Sequence, residues 1–115
     1  MADVKITARR HGETLILDLE GRLILGKATE LLGSTLQEAI AKGERRLLLN
    51  LKGVSQLDTT GISTIVRAFV SLQRAGGKLA LYHLTDRVRQ VLDLTRLLNV
   101  IPCFADEAEA LAKVR

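Results

Sequence analysis

Two apolar patterns joined by a polar corner decide the fold. The first is Leu47-Leu48-Leu49-Asn50-Leu51, a short continuous apolar run of the kind found in a strand buried on both faces. The corner is Val54-Ser55-Gln56-Leu57-Asp58-Thr59-Thr60-Gly61-Ile62-Ser63. Beyond it Ile62, Ile65, Val66, Phe69 and Leu72 recur at helical spacing until Gly76-Gly77 stops them. A buried strand feeding an amphipathic helix is half of a crossover unit, and crossover units build parallel sheets.

The rest of the chain repeats the alternation. Val4, Ile6 and Ala8 alternate with Lys5, Thr7 and Arg9, the period of a half-buried strand; His11-Gly12-Glu13 reads as a turn. Thr14 to Glu20 reads as a second strand, antiparallel to the first, which places the first at a sheet edge. After a turn at Gly21-Arg22-Leu23, the residues Leu32, Leu36, Ala39 and Ile40 mark a helix capped by Gly43. Lys78 to Tyr82 is another buried strand. Val88, Val91 and Leu92 mark a third helix with Thr85 as N-cap, and the ending is a strand over Val100 to Phe104 and a helix over Asp106 to Lys113. The expected fold is a single α/β domain over residues 1–115 in the order β-β-α-β-α-β-α-β-α, with about five strands in a mixed, mostly parallel sheet and about four helices.

Composition narrows the function. At 115 residues, 47% hydrophobic and 26% charged, the chain suits one globular domain. Aromatic residues make up only 3% (Phe69, Tyr82, Phe104), too few for a base-stacking platform or most sugar clefts. The net charge of +4 comes from basic residues scattered among acids, which reads as a solvated surface rather than a phosphate footprint. Met1-Ala2-Asp3-Val4-Lys5 has no signal-peptide pattern, and no stretch approaches the ~18 apolar residues of a membrane span. With one cysteine, Cys103, no intramolecular disulfide forms, and a reduced cytoplasmic setting is the simplest fit.

Catalytic constellations are missing. His11 and His83 have no metal-ligand companion at helical spacing and read as surface or structural histidines. Cys103 follows Pro102 without a neighbouring base and reads as a small packed hydrophobe. No glycine-rich phosphate loop and no catalytic carboxylate pair are present. The expectation is a protein that is not an enzyme and holds no metal or cofactor.

The corner before the second helix remains. In open α/β sheets, ligands and partners are met where strands turn into helices. Asp58, Thr59 and Thr60 all carry oxygens able to cap the free N–H groups of the first turn. A cap needs one such residue, so at least one hydroxyl is spare. A phosphate added there meets the favourable end of the helix dipole and leaves the fold intact.

At this point the chain resembles a STAS domain of the anti-sigma factor antagonist family, over essentially its whole length. The resemblance rests on the opening hairpin, Gly21-Arg22-Leu23, the Leu47–Leu51 strand, the Asp58-Thr59-Thr60-Gly61-Ile62 box and Gly76-Gly77-Lys78-Leu79. The family box is usually Asp-Ser-Ser/Thr-Gly-Leu, with the phosphoacceptor directly after Asp. Carried over, that residue is Thr59, a threonine where the family usually has serine. Ile24-Leu25-Gly26 departs from the Asp that many members carry after Gly-Arg-Leu. The resemblance implies a partner surface made of Asp58, Thr60, Gly61, Ile62 and Ser63 together with Leu25 and Gly26.

It also implies partner switching. The unphosphorylated antagonist binds an anti-sigma factor, a serine/threonine kinase with a histidine-kinase-like ATPase fold, and the sigma factor is released. Phosphorylation ends binding, and a metal-dependent phosphatase restores it. The expected state is a monomer or weak dimer with no direct contact to nucleic acid or membrane. Two alternatives stand beside this: an unphosphorylated STAS scaffold in a signalling or transport assembly, and a small nucleotide-binding STAS domain.

Overall fold

The computed structural model describes residues 4–114; the opening Met1-Ala2-Asp3, on which the signal-peptide reading partly rests, lies outside them. One five-stranded sheet runs in the order β1-β2-β3-β4-β5. Its strands are β1 (Val4–His11), β2 (Thr14–Leu23), β3 (Arg46–Leu57), β4 (Lys78–Tyr82) and β5 (Cys103–Phe104). The helices are α1 (Lys27–Ala41), α2 (Thr59–Arg74), α3 (Asp86–Leu94) and α4 (Glu107–Lys113), with a 3-10 turn at Leu97–Asn99. Only β1–β2 is antiparallel; the other three pairings are parallel. The order of elements is the expected one, and β1 is an edge strand.

Side-chain alternation divides the core in two. Leu17, Leu19, Leu47, Leu49, Leu79 and Leu81 face one side of the sheet and pack against Leu32, Leu36, Ile65, Leu72, Val88 and Leu92 of α1, α2 and α3. Ile16, Leu48, Ala80 and Tyr82 face the other side, under Ala110 of α4 and Val114. That lesser face also carries a polar group. Arg9 pairs with Asp18 and Glu107, Asn50 donates to Asp18 at 2.9 Å, and the buried Tyr82 hydroxyl donates to Glu107 at 2.6 Å.

Helix ends follow local chemistry. α1 and α2 close alike: Gly43 and Glu44 donate to Ile40 and Ala39, and Gly76 and Gly77 donate to Gln73 and Leu72. Both are Schellman endings, with Gly43 at φ +100° and Gly76 at φ +83°. Thr85 caps α3 by accepting from the Val88 N–H at 3.2 Å, as its sequence position predicts.

Three boundaries differ from expectation. Gly21-Arg22-Leu23 is the end of β2, not a turn, because β3 runs on to Leu57 and offers it a partner. The register shifts on either side of Gly21, at φ +111°, are the irregularities that let the longer pair stay matched. For the same reason Val54 to Leu57, read as corner, is strand. At the far edge, β5 is only Cys103–Phe104 and not Val100 to Phe104, since Pro102 has no N–H for a ladder.

Candidate functional site

Only Asp58 stands between the last residue of β3 and the first of α2. Its backbone is extended, at φ −109° and ψ −175°, as an N-cap requires. One carboxylate oxygen accepts from the Gly61 N–H at 2.9 Å, and the other accepts from the Leu25 N–H at 2.8 Å. The Asp58 N–H donates to the Leu23 carbonyl at 3.3 Å. Asp58 thus ties the start of α2 to the end of β2 and to the loop that leads into α1. Burial pushes its carboxyl up, but the N–H groups of Gly61, Leu25, Thr60 and Asp58 itself outweigh this and hold it below the ordinary aspartate value. The cap is Asp58, which answers which of the three oxygen-bearing residues does the capping.

With the cap assigned, the hydroxyls separate. Ser63 donates to the Thr59 carbonyl at 2.8 Å, and Thr64 donates to the Thr60 carbonyl at 2.9 Å. Among the described residues the Thr59 and Thr60 hydroxyls have no hydrogen-bond partner; Thr59 is exposed and Thr60 half-buried. Thr59 therefore presents a free hydroxyl to solvent at the first residue of a helix.

The remaining candidate residues have distinct places. Gly61 is buried against the Leu23 carbonyl, and Ile62 is 6% exposed and packs in the main core, so Ile62 positions the helix rather than facing outward. Ser63 is exposed on the next turn. Leu25 is 77% exposed, an unusual state for a large apolar side chain, and Gly26 begins α1 at φ +130°. Leu25, Gly26, Thr60 and Ser63 meet along a groove of about 440 Å³ between α1 and α2. Thr29, Glu30, Gly33, Ser34, Thr64 and Arg67 complete its walls. Sequence reasoning passed over these six; Arg67 lies four and eight residues beyond Ser63 and Thr59, a helical spacing that would have signalled it.

Among the described residues no group of three or more His, Cys, Asp and Glu side chains converges as a metal site would. No described helix is long and apolar enough to cross a membrane. Burial raises the Cys103 thiol above its ordinary value, so it is a packed thiol and not a thiolate nucleophile.

The strand-to-helix corner thus combines an aspartate cap, an exposed hydroxyl directly after it and a glycine pressed on the neighbouring strand. The chain belongs to the STAS domain family, whose model matches residues 5–110. It is 24% identical to an anti-sigma F factor antagonist of Paenibacillus polymyxa over 97% of this chain and 96% of that protein. An anti-sigma factor antagonist from Mycobacterium paratuberculosis superposes with a TM-score of 0.85 at 18% identity, covering 97% of this chain and 94% of that one. The Bacillus cell fate determinant SpoIIAA superposes with a TM-score of 0.75 in both its unphosphorylated and phosphorylated forms, at 22% and 23% identity. In each case 96% of this chain is covered, with 98% and 100% of the SpoIIAA chains. These superpositions show a shared fold.

Proposed function

We propose that this chain is an anti-sigma factor antagonist that works by partner switching, with Thr59 as its phosphoacceptor. Unphosphorylated, it binds an anti-sigma factor that is a serine/threonine kinase of histidine-kinase-like ATPase fold, and so frees a sigma factor. The surface engaged is the start of α2 together with the Leu25–Gly26 loop. Phosphorylation of Thr59 ends the contact, and a metal-dependent phosphatase resets it. The domain acts in the cytoplasm as a monomer or weak dimer.

The observation that carries this reading is the exposed, unpartnered Thr59 hydroxyl beside a cap already made by Asp58. A phosphate placed there disturbs no existing bond, and the helix N-terminus tolerates its charge. The equal likeness to both forms of SpoIIAA accords with a switch that keeps the fold. A phosphothreonine brings about −1.5 to −2 charges at pH 7. In a close interface such a charge costs on the order of 2–5 kcal/mol, which weakens binding by tens to thousands of fold.

The test is affinity capture from source-cell lysate with Thr59→Ala and Thr59→Asp baits side by side. A kinase-like ATPase held by the Ala bait and lost from the Asp bait is the expected result. Equal capture by both would reduce Thr59 to a surface residue of a constitutive binding module. Phosphate mapped to Thr60 or Ser63 in the wild type would overturn the residue assignment.

A further inference from the structure

The basic residues that the sequence scatters among acids converge at one end of the fold, where β2, β3 and β4 begin. The end of β1 brings Arg10 there, and the connection from α1 to β3 brings Lys42, Arg45 and Arg46. Between the two lies a concavity of about 450 Å³. The connection from α2 to β4 adjoins them. Lys78 stands beside Arg46 in register, its N–H donates to the Arg45 carbonyl at 2.8 Å, and Arg74 ends α2. Lys113, in the last turn of α4, lies at the same edge as Lys78. Arg46 is half-buried and the other six cations are exposed.

The carboxylates paired to these cations are three: Glu44 with Arg10, Glu13 with Arg46 and Glu38 with Lys42. Seven cations against three carboxylates leave a surplus of four positive charges, equal to the net charge of the whole chain. Basic residues at helix C-termini answer the helix dipole, and α1, α2 and α4 all end here. Three such ends carry roughly −0.5 each, about −1.5 together, so the dipoles account for less than half of the surplus. Among the described residues Arg45, Arg74 and Lys113 have no carboxylate partner.

We propose that this end of the fold binds an extended acidic segment of a partner protein, with glutamate or aspartate side chains spaced along it. The concavity already holds arginine–carboxylate contacts. Glu13 is 83% exposed, and a surface pair of that kind is weak, so a guest carboxylate can take its place on Arg46. Arg45 beside it is held by the Ile40 and Glu44 carbonyls at 3.0 and 2.8 Å and so stands oriented for a guest. The turn residues Gly12, Gly43 and Gly76 offer no ring to stack a base and no apolar side chain to enter a bilayer. Glu13 and Glu44, interleaved with the arginines, oppose a continuous phosphate backbone. Three strand spacings separate β1 from β4, about 14 Å. Six extended residues span about 20 Å, enough to cross Arg10, Arg46 and Lys78 and reach Arg74. Thr59 and Arg74 stand at opposite ends of α2, roughly 22 Å apart, so both surfaces can be occupied together.

The experiment is titration of the ¹⁵N-labelled chain with N-acetyl-hexaglutamate amide at physiological ionic strength, where exposed charges more than about 8 Å apart are largely screened. N-acetyl-hexaglutamine amide, hexauridylate and vesicles of equal parts phosphatidylserine and phosphatidylcholine are run in parallel. The expected result is a saturable shift by the acidic peptide, in the millimolar range, of amides in residues 10–14, 42–46 and 74–78, with residues 58–63 unmoved. Arg45→Gln/Arg74→Gln binds roughly tenfold more weakly, whereas Arg87→Gln/Arg89→Gln, an equal loss of exposed charge on α3, stays within about twofold of the wild type. Arg45 helps to hold the end of α1, so Arg74→Gln/Lys113→Gln, which breaks no hydrogen bond or ion pair among the described residues, is measured beside it and weakens binding likewise. Absence of a saturable shift in these segments overturns the proposal. So do equal binding of hexaglutamine, equal weakening by the α3 pair, and unweakened binding by both variants of the basic end. Binding of hexauridylate or of the vesicles as tight as that of the acidic peptide also overturns it and gives the surface to a phosphate-bearing polyanion.

Discussion

Gly61 lies so close to Leu23 that no side chain fits between them: an added Cβ would overlap the Leu23 carbonyl oxygen and stand 2.8 Å from Leu57 Cδ1. The first turn of α2 is thus seated directly on the end of β2. Gly61→Ala is expected to lose about 1–3 kcal/mol in denaturant unfolding, because overpacking must push helix and strand apart. It should also weaken partner binding, since the displaced turn carries Thr59. A Gly61→Ala chain as stable as the wild type would show that the contact yields freely.

Asp58 is expected to matter for stability more than Thr59 does. Asp58→Ala removes the cap and leaves the Leu25 N–H without its acceptor, for a loss of about 0.5–2 kcal/mol from the cap alone. Asp58→Asn keeps a good capping residue and should lose less. Chemical denaturation of the two variants gives the order, and equal losses would contradict it.

Thr59→Ala should fold with stability within about 0.5 kcal/mol of the wild type, because its hydroxyl is exposed and has no hydrogen-bond partner among the described residues. A larger loss would mean that Thr59 shares the capping role. Unfolding midpoints of the two chains in urea settle the matter.

The lesser face makes an acid-sensitive seat for α4. Arg9 and Tyr82 hold Glu107 below its ordinary value, while Arg9 and Asn50 outweigh burial and hold Asp18 below its own. Groups with depressed folded values add stability that is complete above their ordinary values of 4.5 and 3.8. That contribution is lost as pH falls through the depressed values. Stability of the wild type should therefore drop more steeply below pH 4.5 than that of Glu107→Gln. Coincident acid-unfolding curves for the two would remove Glu107 from this role.

Tyr82→Phe should cost about 1.5–3 kcal/mol at neutral pH, since it deletes a buried hydroxyl that donates to a charged carboxylate. Thermal melts at one pH suffice to test it. Unchanged stability would show that the Glu107 carboxylate finds an equal partner in Arg9 alone.

Much of this was legible locally. Helical period marked α1, α2 and α3, and the glycines that end α1 and α2 lie where their positive φ is needed. The strand lengths were not, because they depend on pairing: Gly21-Arg22-Leu23 is strand only because Val54 to Leu57 lies beside it, and Val100 is excluded only because of Pro102. Asp58 could not be singled out from Thr59 and Thr60, since its second bond goes to Leu25, thirty-three residues away in sequence. The Arg9, Asp18 and Glu107 cluster joins three distant segments and leaves no local mark.

The strand-to-helix joint at Asp58 has no slack. A phosphoacceptor in a loose tail can be drawn into an enzyme's cleft and read as a string of letters. Thr59 is instead fixed to a rigid corner, with the sheet behind it and the Leu25 loop at its side, so any enzyme that modifies it has to accommodate the whole corner. A free peptide copying residues 54–63 has the letters without the shape, and under the proposed function it should be a poor substrate for a kinase that recognises the folded domain.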